Sequence, residues 1–363
     1  MELFVFLCSL IIFVSFALMP LARRAGAPFL LIALLIGMLL GEDGPGRIQF
    51  SNFNFAFDLG SVALAVILFA GGLETGRSVF RSAGAPASLL ATIGVLITAG
   101  ITGVAACLFM GLPWQVGLLL GAAVASTDAA ATFLLVQQSG IALRQRLKDT
   151  LLLESGLNDP MAIFLTVSLT TLVASIQTNA PADLPGMALF LLMQAGIGIL
   201  GGVLGGRLLA RILDRLFLPM GTYPIMTLAG ALVIFTGVSL VGGSGLGLLV
   251  TPSALLNDIW PAIGCAAVLM LIARPLAVFA SVGWMGFSFR ENVFLSWVGL
   301  RGAVPILLAI YPVIAPGPIS VGFFNVVFVI VTISLTIQGW TIAPTARLLR
   351  LGPEAQTKEI TDT

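Results

Sequence analysis

The sequence predicts an all-α polytopic membrane protein with about eleven spans. Composition is the first reason. Of 363 residues, 58% are hydrophobic and only 9% charged, where a soluble domain carries about 25% charged residues. Length is the second, because apolar stretches near the roughly 20 residues that cross a bilayer recur along the whole chain. The third is the distribution of the basic residues, which fall in alternate loops. Together they exclude a water-soluble fold. A net charge of +1 leaves no electrostatic footprint for nucleic acid. The chain has no histidine, so proton chemistry near neutral pH falls to carboxylates.

In chain order the predicted spans are roughly 3–19, 28–41, 56–73, 86–111, 114–136, 150–174, 187–209, 223–245, 262–282, 291–311 and 319–343. The first is not a cleavable signal peptide, since no Lys or Arg precedes it while Arg23 and Arg24 follow. Loops after odd-numbered spans, with the C-terminal tail, hold Arg23, Arg24, Arg77, Arg81, Arg144, Arg146, Lys148, Arg207, Arg211, Arg215, Arg290, Arg347, Arg350 and Lys358. Loops after even-numbered spans hold only Arg47. This asymmetry places the N-terminus outside and the C-terminus in the cytoplasm. Cys8, Cys107 and Cys265 lie far apart inside apolar stretches and read as small packing residues rather than a disulfide or metal site.

Asp128, Glu154, Asp159, Arg274 and Arg301 fall inside spans, and Glu74 closes the third. An ionisable group at membrane depth costs roughly 2.5–3.5 kcal/mol even on lenient scales, which makes each a functional candidate. Span five carries Ser126-Thr127-Asp128 in a tract of alanines and glycine, a composition suited to close helix approach and to a locally unwound backbone. Span six carries Glu154-Ser155-Gly156-Leu157-Asn158-Asp159-Pro160. Ser155 and Asp159 stand one turn apart on one face, a carboxylate beside a hydroxyl that suits a hard monovalent cation. Glu154 and Asn158 form a second face, for which Arg274 is the natural neutralising partner. A paired carboxylate stays charged, whereas Asp159 has less compensation. A lone carboxylate in low dielectric holds a proton or a cation but not both well, and that competition is cation/proton exchange in its simplest form. Pro160 frees the carbonyl one turn earlier. Span ten reads Gly299-Leu300-Arg301-Gly302-Ala303-Val304-Pro305, which again suggests an interrupted helix whose Arg301 could hold two half-helices together.

These motifs, with Phe69-Ala70-Gly71-Gly72-Leu73-Glu74 and Ala273-Arg274-Pro275-Leu276, resemble the monovalent cation:proton antiporter-1 family. The closest likeness is to its bacterial potassium/proton antiporters of the cell volume regulation type. The resemblance implies an inverted-repeat fold with two crossed discontinuous helices, an ion-binding core and a dimerisation scaffold. It implies a multi-pass protein of the bacterial inner membrane that exchanges K+ or Na+ for H+, without a cofactor, in pH and volume homeostasis. Asp159 would bind ion and proton, with Asp128, Thr127 and Ser155 completing the site. Glu154, Arg274 and Asn158 would form the stabilising ion-pair group, and Glu74 and Arg301 would assist. The adjacent Asn158-Asp159 resembles the electroneutral type. Relatives carry two further spans after 237–245, so the chain suggests an internal deletion near 245/246. The exchanger region would be 1–345, followed by a short tail, 346–363, in place of a regulatory domain. Two other readings of these residues remain open. One is a non-transporting remnant of such an antiporter. The other is an intramembrane aspartyl protease using Asp128 and Asp159.

Overall fold

The computed structural model describes residues 2–25, 28–41, 44–47, 53–138, 140–141, 143–178, 184–216, 219–240, 259–315 and 319–351. The described residues form helices and connections without strands. In lipid every backbone N–H and C=O needs an internal partner, and helices supply it within one segment. The helices are α1 (Glu2–Ala25), α2 (Phe29–Leu40), α3 (Phe53–Glu74), α4 (Arg77–Leu89) and α5 (Val95–Met110). They continue with α6 (Trp114–Ala123), α7 (Ala129–Gln138), α8 (Gln145–Gln177), α9 (Leu184–Arg215) and α10 (Tyr223–Leu240). The last five are α11 (Ile259–Val268), α12 (Arg274–Val282), α13 (Phe289–Trp297), α14 (Ala303–Ile314) and α15 (Val321–Leu348). Among the described residues, six helical stretches are long and apolar enough to cross a membrane, and shorter apolar helices accompany them. The predicted junction near 245/246 and most of the predicted tail lie outside the described residues.

Two triplets of elements repeat. In the first, α4 runs through a π-helical turn at Leu90–Gly94 into α5; α6 and α7 are halves of one interrupted span; α8 is long and unbroken. In the second, α11 runs through a π-helical turn at Leu269–Ala273 into α12; α13 and α14 are halves of a span; α15 is long and unbroken. By the predicted count the triplets begin five spans apart, so they would enter the membrane in opposite directions. They interlock rather than stack: α5 packs on α11, α7 on α15, and α14 on both α6 and α8.

Burial follows this arrangement. Two thirds of the apolar window of α15 is buried (67%), against none of that of α9 (0%). Close approach at the α5–α6 seam depends on glycine. A Cβ on Gly103 would lie 2.8 Å from the Leu118 Cα, and one on Gly121 would overlap the Ala99 carbonyl. Several helices run past the predicted span edges. Hydropathy marks only the part in hydrocarbon, and α8 gains a polar first turn, Gln145–Lys148, that extends beyond it. That turn is fastened to the second triplet. Arg146 donates to the Met285 carbonyl at 2.8 Å and lies 4.3 Å from the Phe287 ring centre.

Candidate functional site

The two interrupted spans meet at their breaks. Residues 124–128 join α6 to α7 without helical structure, and 298–302 do the same between α13 and α14. A broken helix leaves carbonyls at one end and N–H groups at the other without partners. Here the breaks satisfy each other. The Asp128 N–H donates to the Leu300 carbonyl at 2.8 Å. Arg301 donates to the carbonyls of Ala125 (2.8 Å) and Ser126 (2.6 Å), placing its cation at the negative end of α6. Arg301 is 1% exposed, which excludes snorkelling to the interface.

Asp128 takes the opposite role. It precedes α7, and its Oδ1 accepts the Ala131 N–H at 3.0 Å in the manner of an N-cap. Its carboxylate also presses on Gly302, the residue before α14, where a Cβ would overlap it. One carboxylate thus faces the positive ends of two half-helices. The geometry requires glycine at 302 because of close approach.

Helix α8 supplies the rest. Ser155 Oγ donates to the Thr127 carbonyl (2.9 Å) and accepts the Ala129 N–H (3.2 Å), so it pins the first break from both sides. Glu154, one residue earlier, meets Arg274 in a bidentate pair with N···O distances of 2.5 and 2.9 Å. Arg274 opens α12 directly after the π-helical turn and lies over Gly299, where a Cβ would come within 2.9 Å of its Nε. Asn158 shares the Glu154 face by spacing but makes its hydrogen bond elsewhere. It donates to Thr127 Oγ1 at 2.7 Å. The guanidinium engages both Glu154 oxygens, which leaves the amide to the unwound segment. The sequence grouping of Asn158 with the ion pair is therefore replaced by one with Thr127.

Asp159 is 5% exposed, and its Oδ1 has no hydrogen-bond partner among the described residues. It lies within electrostatic reach of Asp128. The Ser126 hydroxyl is fully buried and lies within interaction range of the Asp159 carboxylate. Two carboxylates, a buried hydroxyl and a cluster of pinned carbonyls form an oxygen-rich site of the kind that hard cations prefer. Ser126 was not among the predicted site residues. Its signal was its place in the Ser126-Thr127-Asp128 tract, which spacing alone could not rank. Glu74 ends α3, and its side chain lies outside the described ones. A further buried carboxylate, Asp149, lies outside the site and is engaged by Ser82 and Gln145, each at 2.7 Å.

Known proteins resemble this chain along most of its length. A family model described as the transmembrane sodium/hydrogen exchanger matches residues 10–246 and 244–348. A protein of Alkalimonas amylolytica named K+/H+ antiporter NhaP is 41% identical over 96% of the chain and 67% of its own length. The K+/H+ antiporter NhaP2 of Shewanella sp. strain ANA-3 is also 41% identical, over 94% of the chain and 66% of its own length. The chain thus spans about two thirds of these relatives. The sodium/proton antiporter MjNhaP1 of Methanocaldococcus jannaschii shares the fold, with a TM-score of 0.75 at 20% identity over 96% of this chain and 99% of that one. These proteins are transporters rather than enzymes, which removes the protease reading of Asp128 and Asp159. The chain belongs to the sodium/hydrogen exchanger family of monovalent cation:proton antiporters.

Proposed function

We propose that the chain exchanges a monovalent cation, K+ in preference to Na+, for a proton at Asp159. The observation that carries this is the contrast between two carboxylates five residues apart on α8. Glu154 is matched by the guanidinium of Arg274 through two hydrogen bonds. Asp159 is also buried and has an oxygen with no partner among the described residues. Leaving a buried carboxylate bare is unfavourable, so a proton or a cation occupies it. Asp128, Ser126 and Thr127 line the same place, and Ser155 and Asn158 hold the unwound strand that bears them. The names of the relatives at 41% identity support potassium as the cation. The proposed setting is the bacterial inner membrane, with the N-terminus periplasmic, the C-terminus cytoplasmic and a second copy as partner. The family model matches in two stretches that meet at 244–246, which supports an internal deletion there.

Everted membrane vesicles carrying the chain test the proposal. Added K+ or Na+ should dissipate an imposed acid-inside pH gradient, and Asp159→Asn should abolish the response. Equal responses from the two proteins would remove Asp159 from the mechanism. A correctly inserted wild-type chain that exchanges no cation would favour the remnant reading.

A further inference from the structure

The two triplets pin their unwound segments in a similar way, and the likeness extends to polar side chains on α15. In the first triplet Ser155 accepts the N–H of Ala129, the first residue of α7 and the far edge of the break that α8 crosses. In the second, Ser334 Oγ accepts the N–H of Arg301 at 3.1 Å, in the strand that α15 crosses. One turn after Ser155 comes Asp159, and one turn after Ser334 comes Gln338. The position that holds an unpartnered carboxylate in one triplet therefore holds an amide in the other.

That amide is engaged through both its oxygen and its nitrogen. Gln338 Oε1 accepts the Ser334 hydroxyl at 2.6 Å, and Nε2 donates to the Trp297 carbonyl at 2.8 Å. Trp297 is the last residue of α13, so Gln338 satisfies a carbonyl that the break exposes. Thr341 extends the same face and accepts the Trp297 indole N–H at 2.9 Å. Residues 334, 338 and 341 follow the i, i+4, i+7 spacing of a single helix face. Three side chains of α15 thus hold both ends of the second break, Trp297 and Arg301. Arg301 in turn fixes the carbonyls of Ala125 and Ser126 beside the carboxylates. Ser334 is fully buried and Gln338 1% exposed, so water does not substitute for these bonds.

We infer that Ser334 and Gln338 are positioning residues for ion exchange, which set the place of Arg301 and, through it, of the Ser126 end of the ion site. The inference rests on the proposed exchange at Asp159. In this arrangement the second triplet is the fixed half of the crossing, closed by an amide where the first keeps an exchangeable acid.

Exchange is measured in vesicles as a function of cation concentration and pH, beside the thermal stability of each purified protein. Ser334→Ala and Gln338→Leu should raise the half-saturating cation concentration by about tenfold, the scale of a lost hydrogen bond to a buried backbone group. They should also displace the pH profile. Ser334→Thr keeps the hydroxyl and should behave as wild type. Gln338→Glu loses the amide donor to Trp297 and should fall with Gln338→Leu. Thr332→Val removes a hydroxyl that bonds only within α15, to the Phe328 carbonyl, and should change nothing. Wild-type half-saturation and pH profile in both loss variants would overturn the inference, as would equal impairment by Ser334→Thr and Ser334→Ala. If Gln338→Leu fails to insert, the two Ser334 variants decide the matter alone. A wild-type chain that exchanges nothing overturns the proposed function and this inference together. A working wild type with unaltered variants overturns only the inference.

Discussion

Replacing Arg274 by methionine would leave Glu154 as an unmatched charge in the buried interior. The side chains of the pair are 4% and 1% exposed, and both carboxylate oxygens are engaged. Breaking a buried pair by removing one partner costs about 3–5 kcal/mol, which is about two to three and a half orders of magnitude in the folded population. Replacing both partners is different in kind. Leucine at 154 with methionine at 274 removes the charges together, and such exchanges range from neutral to stabilising by about 1–4 kcal/mol. The double variant should therefore be more stable than either single one, a reversal that simple loss of packing cannot produce. Thermal denaturation of the four proteins in one detergent reads this coupling directly. Glu154 holds no exchangeable ion on the proposed mechanism, so the double variant should also retain cation-dependent proton movement. Additive losses in the double variant would refute the claim of mutual compensation. A stable double variant without exchange would show that the pair takes part in transport.

Other expectations follow from the same geometry. Gly302→Ala drives a methyl group into the Asp128 carboxylate and should reduce exchange at least tenfold while the protein still inserts, as vesicle assays with immunodetection would show. Where a single proton competes with the cation for Asp159, the half-saturating cation concentration should fall about tenfold for each pH unit of increase over the range in which the empty site is mostly protonated, and level off above it. Titration of exchange against K+ from acid to alkaline pH tests this, and a value constant across the whole range would refute competition.

The hydrophobic spans were legible because bilayer thickness imposes a length on every crossing helix. The two breaks were legible for a related reason. Small residues beside Asp128 and Arg301 make poor uninterrupted lipid-facing helices, and buried charge must be accommodated. The Glu154–Arg274 pair followed from charge balance. What sequence could not supply was the third dimension at the crossing. Nothing in Leu300 announces that its carbonyl meets the Asp128 N–H, because the bond involves only backbone. The π-helical turns at Leu90–Gly94 and Leu269–Ala273 have ordinary apolar sequences. Ser334 and Gln338 were passed over because neutral polar groups in an apolar run carry little cost on the scales that mark charged ones. Their engagement becomes visible only when α15 is laid across the second break.

The charges gathered at the crossing bear on stoichiometry. Asp128, Glu154 and Asp159 face Arg274 and Arg301, three carboxylates against two guanidinium groups. Arginine does not give up its proton in such a site, and Glu154 is matched to Arg274. If the positive ends of α7 and α14 keep Asp128 ionised, as the proposed exchange at Asp159 requires, the residual negative charge falls on Asp159. One proton neutralises it, and so does one monovalent cation. On the proposed exchange at Asp159, the loaded site would carry the same net charge on both legs of a cycle, and no charge would cross the membrane in a complete turn. Exchange in proteoliposomes should accordingly be indifferent to an imposed diffusion potential. A chain with aspartate at both 158 and 159 would carry one more negative charge through the same motion. Asn158→Asp is therefore the informative variant, since it places that charge beside Thr127 Oγ1, where Asn158 now donates. Wild-type rates that follow the imposed potential would show that a second charge moves and would refute the one-for-one assignment.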